Sequence, residues 1–383
     1  MNKKVMTLAV AAALAAPAAA FAQVQIGGSI HLQYFQHDPG SILTEKKTDI
    51  LETTEPEMYV RAEEKLGGGL SAWMQCTSSF DVVGSSIDGF CGRNSGVGFK
   101  GAFGNIFAGN WDTPHKLAVS PMRGWFGLNN VFARATILWN TAPSNVGNGF
   151  TSDGVTAAAA GFSRRQREAF NWHGPDWGGF SLQAAYSGGN SGTTLTSASP
   201  LKPRMTSLGA RFGTGPLLIT AGYEKHDDFN PTGTAAYTGG TDDSFVVGVS
   251  YTFAGRVKVS GVYTENNYET GDGTGGTVKT DGMAFWLDWT IAGPHSIKAQ
   301  YVVQNDPKGT AGRTVNTYTV GSDRGAEVMT LVYSYAFSKR TSGYVAYNEL
   351  QNDTNTNAYG LGQTGAATGG TQKAYGVGMR YQF

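Results

Sequence analysis

The residues best placed to act on another molecule are charged groups at alternate positions. Arg61 and Glu63, Arg165 and Arg167, then Arg211, Glu224, Lys258, Asp288, Lys298 and Arg380 share a parity with polar neighbours, while the opposite parity carries Tyr, Phe, Val, Leu and Ile. Cations and carboxylates spread over separate segments in this way do not make or break bonds. They would orient and filter ions and dipoles at short range. Support for bond-making chemistry is thinner. A hydrolase would need one of the six histidines within hydrogen-bond reach of an activated hydroxyl or an Asp-bound water. His226 beside Asp227 and Asp228 is the best candidate, and a solvated loop explains the same trio. No Cys/His spacing suits a metal. The chain is therefore read as non-enzymatic, with no catalytic residue, metal or cofactor assigned.

Two cysteines remain, Cys76 and Cys91. An even, closely spaced pair in an exported protein reads as one disulfide; two inert thiols are the alternative. Export follows from the first residues. Lys3 and Lys4 precede an apolar run from Val5 to Ala15, and Ala20-Phe21-Ala22 offers small residues for cleavage. Residues 1–22 are read as a signal peptide and 23–383 as the mature chain. Without Lys3 and Lys4 the mature chain has 27 basic and 29 acidic residues, which gives no reason to expect a nucleic-acid partner.

The charged positions need strands to present them. Charged residues are only 15% of the chain, aromatics reach 12%, and the 54 glycines punctuate the whole length. Seven glycine-, proline- or serine-containing turns recur, at 65–70, 101–105, 174–179, 213–216, 253–256, 291–295 and 337–341. Each is flanked by segments of period-two alternation. Long polar stretches separate them. Seven short turns and eight long loops make sixteen strands. The asymmetry between the two ends, and a terminal strand in which Tyr375, Val377, Met379, Tyr381 and Phe383 alternate with Gly, Arg and Gln, fit a closed barrel in lipid. The fold expected is all-β: a transmembrane antiparallel β-barrel of 16 strands with short periplasmic turns, long extracellular loops and a hollow, water-facing interior.

One interval breaks the rhythm. Residues 111–164 are too long for a structureless connection and carry Trp125, Phe126, Leu128, Val131, Phe132, Ile137, Leu138 and Trp139. Folding inward against the barrel wall would bury these rings and narrow the interior; covering the mouth or contacting another subunit is the alternative. Asp112, Arg123 and Arg134 are the charged candidates on this third loop.

With these features in place, the chain resembles the Gram-negative general porins, in particular those of betaproteobacteria. The resemblance is carried by Arg61–Ala72 with its Gly67-Gly68-Gly69, Gln75–Phe80, Arg93–Pro114, Arg165 with Pro175–Phe180, Ser334–Thr341 and the closing Phe383. It implies a homotrimeric barrel in the outer membrane that passes small hydrophilic solutes and ions by passive diffusion. It also implies a third loop at the constriction, with Arg61 and Arg165 as wall arginines. Tyr381 and Phe383 would be the signal read by the barrel-assembly machinery, and lipid and lipopolysaccharide would surround the barrel. A substrate-specific channel, or an adhesin using the long loops, stays open. Three departures stand out. Asn110 and Asp112 replace an arginine and a tyrosine of the family pattern, which should weaken anion preference. The Cys76/Cys91 pair is unusual. Arg93 shares the parity of the apolar Val97 and Phe99.

Overall fold

The computed structural model describes residues 23–40, 46–84, 89–126, 130–139, 161–188, 203–229, 238–315, 318–361 and 367–383. The expected signal peptide lies outside them. Sixteen antiparallel staves form one closed sheet. They are β1 (Gln23–Asp38), β2 (in two pieces, Thr48–Thr53 and Glu57–Gly67, parted around Pro56), β3 (Leu70–Ser78), β4 (Ser95–Gly101), β5 (Gly104–Asp112), β6 (Arg165–His173), β7 (Phe180–Ser187) and β8 (Arg204–Thr214). The circuit continues through β9 (Leu217–Asp227), β10 (Thr241–Phe253), β11 (Val257–Glu269), β12 (Thr277–Ala292), β13 (His295–Gln304), β14 (Ala326–Ala336), β15 (Thr341–Asn352) and β16 (Thr371–Gln382). A short strand, Lys308–Gly309, adds to the outer end of β12.

Every stave pairs with its neighbours in sequence, and the last pairs with the first. The β1–β16 register runs from Ser29 opposite Gln382 to Asp38 opposite Lys373, while the other edge of β1 pairs with both pieces of β2. Two hydrogen bonds of 3.1 Å between Gly28 and Phe383 finish the seam. No edge is left to face hydrocarbon, where an unpaired backbone group would cost several kcal/mol. The seven tight connections fall at the seven turn signals and share one end of the barrel. In the first, Gly67, Gly68 and Gly69 take φ of 91°, 59° and 79°, a run of left-handed backbone that side chains resist.

Alternation sorts the side chains. On β12, Val278, Thr280, Gly282, Ala284 and Trp286 are buried toward the interior, while Met283, Phe285 and Trp289 point outward and are 40–48% exposed. Tyr381 and Phe383 also belong to the outer face, with rings stacked 6.4 Å apart.

The outward face should therefore reject charge. Leu331, outward at the middle of β14 and 53% exposed, lies at a depth where lysine costs about 2–4 kcal/mol. Leu331→Lys is expected to lower unfolding free energy in phospholipid vesicles by about that amount, whereas Ser181→Lys, on the inward parity of β7, should be near neutral in the same titration.

Candidate functional site

The interior is not uniformly hollow. The chain leaves β5 at Asp112, turns inward and builds a helix, α1 (Pro114–Arg123), against β8 to β11. Local chemistry starts that helix. Thr113 is extended at the N-cap, its Oγ1 accepts from the Lys116 amide at 3.4 Å, and Pro114 needs no amide partner at the first position. At the other end the Lys258 ammonium donates to the Pro121 carbonyl, where a cation suits the free carbonyls of a helix terminus.

The wall makes room by omission. Glycines face the helix from three neighbouring strands: a Cβ on Gly209 would stand 3.1 Å from Pro114, one on Gly222 2.8 Å from the His115 backbone, and one on Gly248 2.9 Å from Met122. Hydrogen bonds fix the docking. The His115 amide donates to Ser207 Oγ at 3.1 Å, His115 Nε2 meets Ser244 Oγ at 2.9 Å, and Thr220 Oγ1 donates to the Ala118 carbonyl at 2.7 Å. Burial keeps the His115 imidazole well below its usual titration range, so it serves this contact uncharged.

Beyond the helix the loop crosses to the opposite wall and returns. Trp125 packs edge-on to Tyr344 of β15 at 4.9 Å and lies 5.9 Å from the His31 ring of β1; Phe132 packs against Phe35. A 3-10 turn, Ala135–Trp139, then lies fully buried on β12 and β13. Asn266 donates to the Leu138 carbonyl at 2.7 Å, and the Trp139 indole donates to Thr264 at 3.1 Å. The loop's apolar residues form one cluster with inward Val246, Val262, Ala284, Trp286, Val302, Val328, Val332 and Leu350. Fully burying one such side chain is worth about 1.5–3 kcal/mol, similar to the ~1–2 kcal/mol per residue of fixing backbone. The described part of the loop stays docked because many of its apolar residues contribute.

These contacts leave charged side chains accessible elsewhere in the lumen. Arg61, Glu63 and Arg211 are exposed on the inward parity of β2 and β8, and Lys258, Asp288, Arg123 and Arg380 are partly exposed. The Arg61 guanidinium stacks 4.2 Å from the Tyr59 ring and donates to Gln75 at 2.7 Å; Glu63 pairs with Lys100 at 2.6 Å. Asp288 accepts from Lys298 at 2.6 Å. Accessible charged side chains of the wall and the inserted loop thus share one barrel interior.

This arrangement agrees with what the chain is similar to. The profile of a family described as Gram-negative porin matches residues 7–355. The chain belongs to that family. A porin address places it in the outer membrane. A 130-residue stretch, 33% of this porin, is 28% identical to the major outer membrane protein P.IB of Neisseria gonorrhoeae, of whose length the match spans 36%. Among solved structures, an anion-selective porin from Comamonas acidovorans superposes with a TM-score of 0.73 at 21% identity, covering 94% of this chain and 100% of that one. OmpT of Vibrio cholerae in its trimer form gives 0.62 at 14%, covering 94% and 99%. OmpF of Salmonella typhi, in complex with daunomycin, gives 0.64 at 16%, covering 94% and 98%.

Inside this porin several residues sit elsewhere than alternation alone places them, each for a physical reason. The parity count for Arg165 and Arg167 assumes an unbroken β6. The structure has a bulge there: Gly109 pairs with Ala169 but Trp111 with Gln166, and Glu168 takes a φ of 53°. The inserted residue makes fully buried Gln166 the inward residue, bonded to Ser187, and leaves Arg167 exposed beside the bulge. Arg165 instead pairs in register with Asp112, whose carboxylate it approaches at 3.3 Å. Glu224 does face inward, but the loop seals it: it is fully buried against His226 at 3.0 Å. His226 is stacked between Phe162 and Phe229 at 4.6 and 4.3 Å, a packed ring rather than an exposed base. Arg134 is also buried, donating to the Gly360 carbonyl at 2.8 Å, so it staples the loop to the last long connection. Cys76 and Cys91 form a disulfide. Arg93 lies before β4, 3.8 Å from Glu57, which removes its parity conflict.

Lys100, Lys116 and Trp125 join the site as well. Lys100 was recoverable from the sequence, since it shares the inward parity of Gly96 and Gly98. Burial pulls the Lys116 ammonium below its ordinary value, opposed by the Asp112 carboxylate at 2.8 Å. A steric test follows for the porin's glycine seat. Gly222→Val should push α1 off the wall into the passage and lower single-channel conductance, with circular dichroism still strand-dominated.

Proposed function

We propose that the chain forms a water-filled passage through which ions and small hydrophilic solutes diffuse passively, with a preference for anions. The observation that carries this reading is the charge of the inserted loop. Its described residues carry Lys116, Arg123, Arg134 and Arg164 against the one carboxylate of Asp112; Lys116 pairs with that carboxylate, Arg134 and Arg164 are buried, and Arg123 is partly exposed. The wall adds Arg61, Arg211, Lys258 and Arg380, while its exposed acids Glu63 and Asp288 are met by Lys100 and Lys298. An excess of fixed cations along a passage bounded by protein concentrates counter-ions of the opposite sign. Asp112, which on sequence grounds argued against anion preference, is engaged by Lys116 and Arg165 and so adds little net negative field.

The name of the Comamonas porin supports the same sign of selectivity, and the trimer form of the Vibrio protein supports a homotrimer. On this reading the outer rim is bathed in lipopolysaccharide, and the β16 end with Tyr381 and Phe383 is the segment that the barrel-assembly machinery reads.

Reconstitution into planar bilayers under a KCl gradient tests the proposal. Stepwise conductance with a zero-current potential of the anion-selective sign is expected, and Arg123→Glu should move that potential toward cations. Near-zero conductance would mean a plugged barrel. A conducting Arg123→Glu variant with an unshifted potential would remove Arg123 from the passage.

A further inference from the structure

The loop that narrows the passage has two stems, and both converge on a single carboxamide. Asn94 Oδ1 accepts the Asp112 backbone amide at 3.1 Å and the Arg165 Nε at 2.6 Å; Asn94 Nδ2 donates to Asp112 Oδ2 at 3.2 Å. Asp112 ends the strand that enters the loop, and Arg165 opens the strand that leaves it. A second amide extends the same seam. Asn110 Nδ2 donates to the carbonyls of Gly92 at 2.8 Å and Arg93 at 3.2 Å. Residues 92–94, the returning limb of the second long loop, are thereby stitched along 110–112 by side chains.

That limb is fixed on its other side by a covalent bond. Cys91 immediately precedes it and is bridged to Cys76 in β3. The Cys91 amide donates to Ser78 Oγ at 3.0 Å, and the Arg93 amide to the Thr77 carbonyl at 2.9 Å. The disulfide therefore does more than close a surface loop. It sets the position of Asn94, and Asn94 sets the spacing of the two stems.

We propose that Asn94, held in place by the Cys76–Cys91 bridge, is the positioning residue of the constriction. It acts through Asp112 and Arg165 and touches no permeating ion itself. The stems retain their own backbone pairing and the Thr113 amide bond to the Arg164 carbonyl at 3.0 Å, so removing the bracket should leave the barrel intact and loosen only the loop. Because Asp112 is also paired with Lys116 of α1, movement at the stem reaches the helix that borders the passage.

The inference rests on the channel reading, and single-channel recording separates the two. Asn94→Ala and the double variant Cys76→Ser/Cys91→Ser are each expected to raise open-channel current noise several-fold, with strand-dominated circular dichroism and thermal unfolding of the barrel unchanged. Combined, they should be no noisier than either alone, since both undo one bracket. The exchange Asn94→Asp with Asp112→Asn preserves net charge, gives Arg165 a carboxylate at the position it already contacts, and should restore a quiet channel. A conducting wild type with an equally quiet Asn94→Ala variant would overturn this inference alone, as would an exchange variant as noisy as Asn94→Ala. A wild type without conductance steps would overturn the channel reading and this inference with it.

Discussion

Hydrocarbon supplies no hydrogen bonds, and every other feature of this protein follows from meeting that demand with strands. A sheet in lipid must close on itself, so β16 meets β1 and the last residue bonds back to Gly28. Closure gives each strand an apolar outside and an inside free to vary. The outside is chemically monotonous, a succession of Tyr, Phe, Val, Leu and Met. All the individuality of the molecule is confined to the inward parity and the long connections.

The third long connection uses that freedom twice. Its described apolar residues pack with inward side chains of β10 to β15 into a dry core, while Arg123 stays partly exposed to the lumen. The docking depends as much on missing side chains as on present ones, because Gly209, Gly222 and Gly248 let a helix approach strand backbone directly. Buried polar groups in this sector, including Ser207, Thr220, Ser244 and Asn266, find partners on the loop or on neighbouring strands. The barrel interior thus combines accessible charged positions with regions packed like an ordinary protein core.

Much of this was legible in the sequence, for definite reasons. Strand number and closure were readable because turns and alternation are local signals, and Gly67-Gly68-Gly69 or Phe253-Ala-Gly-Arg256 mark reversals whatever surrounds them. The inward fold of the described part of this loop followed from rings such as Phe126, Phe132 and Trp139 that could not be left in water. The bulge at β6 was invisible, since no residue type there announces an extra position and Glu168 is an ordinary choice for a strand. One insertion was enough to misplace Arg165 and Arg167. Glu224, His226 and Arg134 were misjudged for another reason: parity tells which way a side chain points, not whether something later covers it. Asn94 gave no signal, because its partners lie 18 and 71 residues away.

The half-filled interior has a consequence for how this sequence can change. Inward positions that border solvent, such as Arg61, Glu63 and Arg211, tolerate exchange of one polar group for another, with effects mainly on which solutes cross. Inward positions covered by the loop, such as Val246, Ala284 and Leu350, answer to the rules of a folded core, where volume and unpaired polar atoms decide the outcome. The two sets of inward positions therefore drift under different selection, and an alignment of relatives should show variable polar residues in the first and conserved volume in the second.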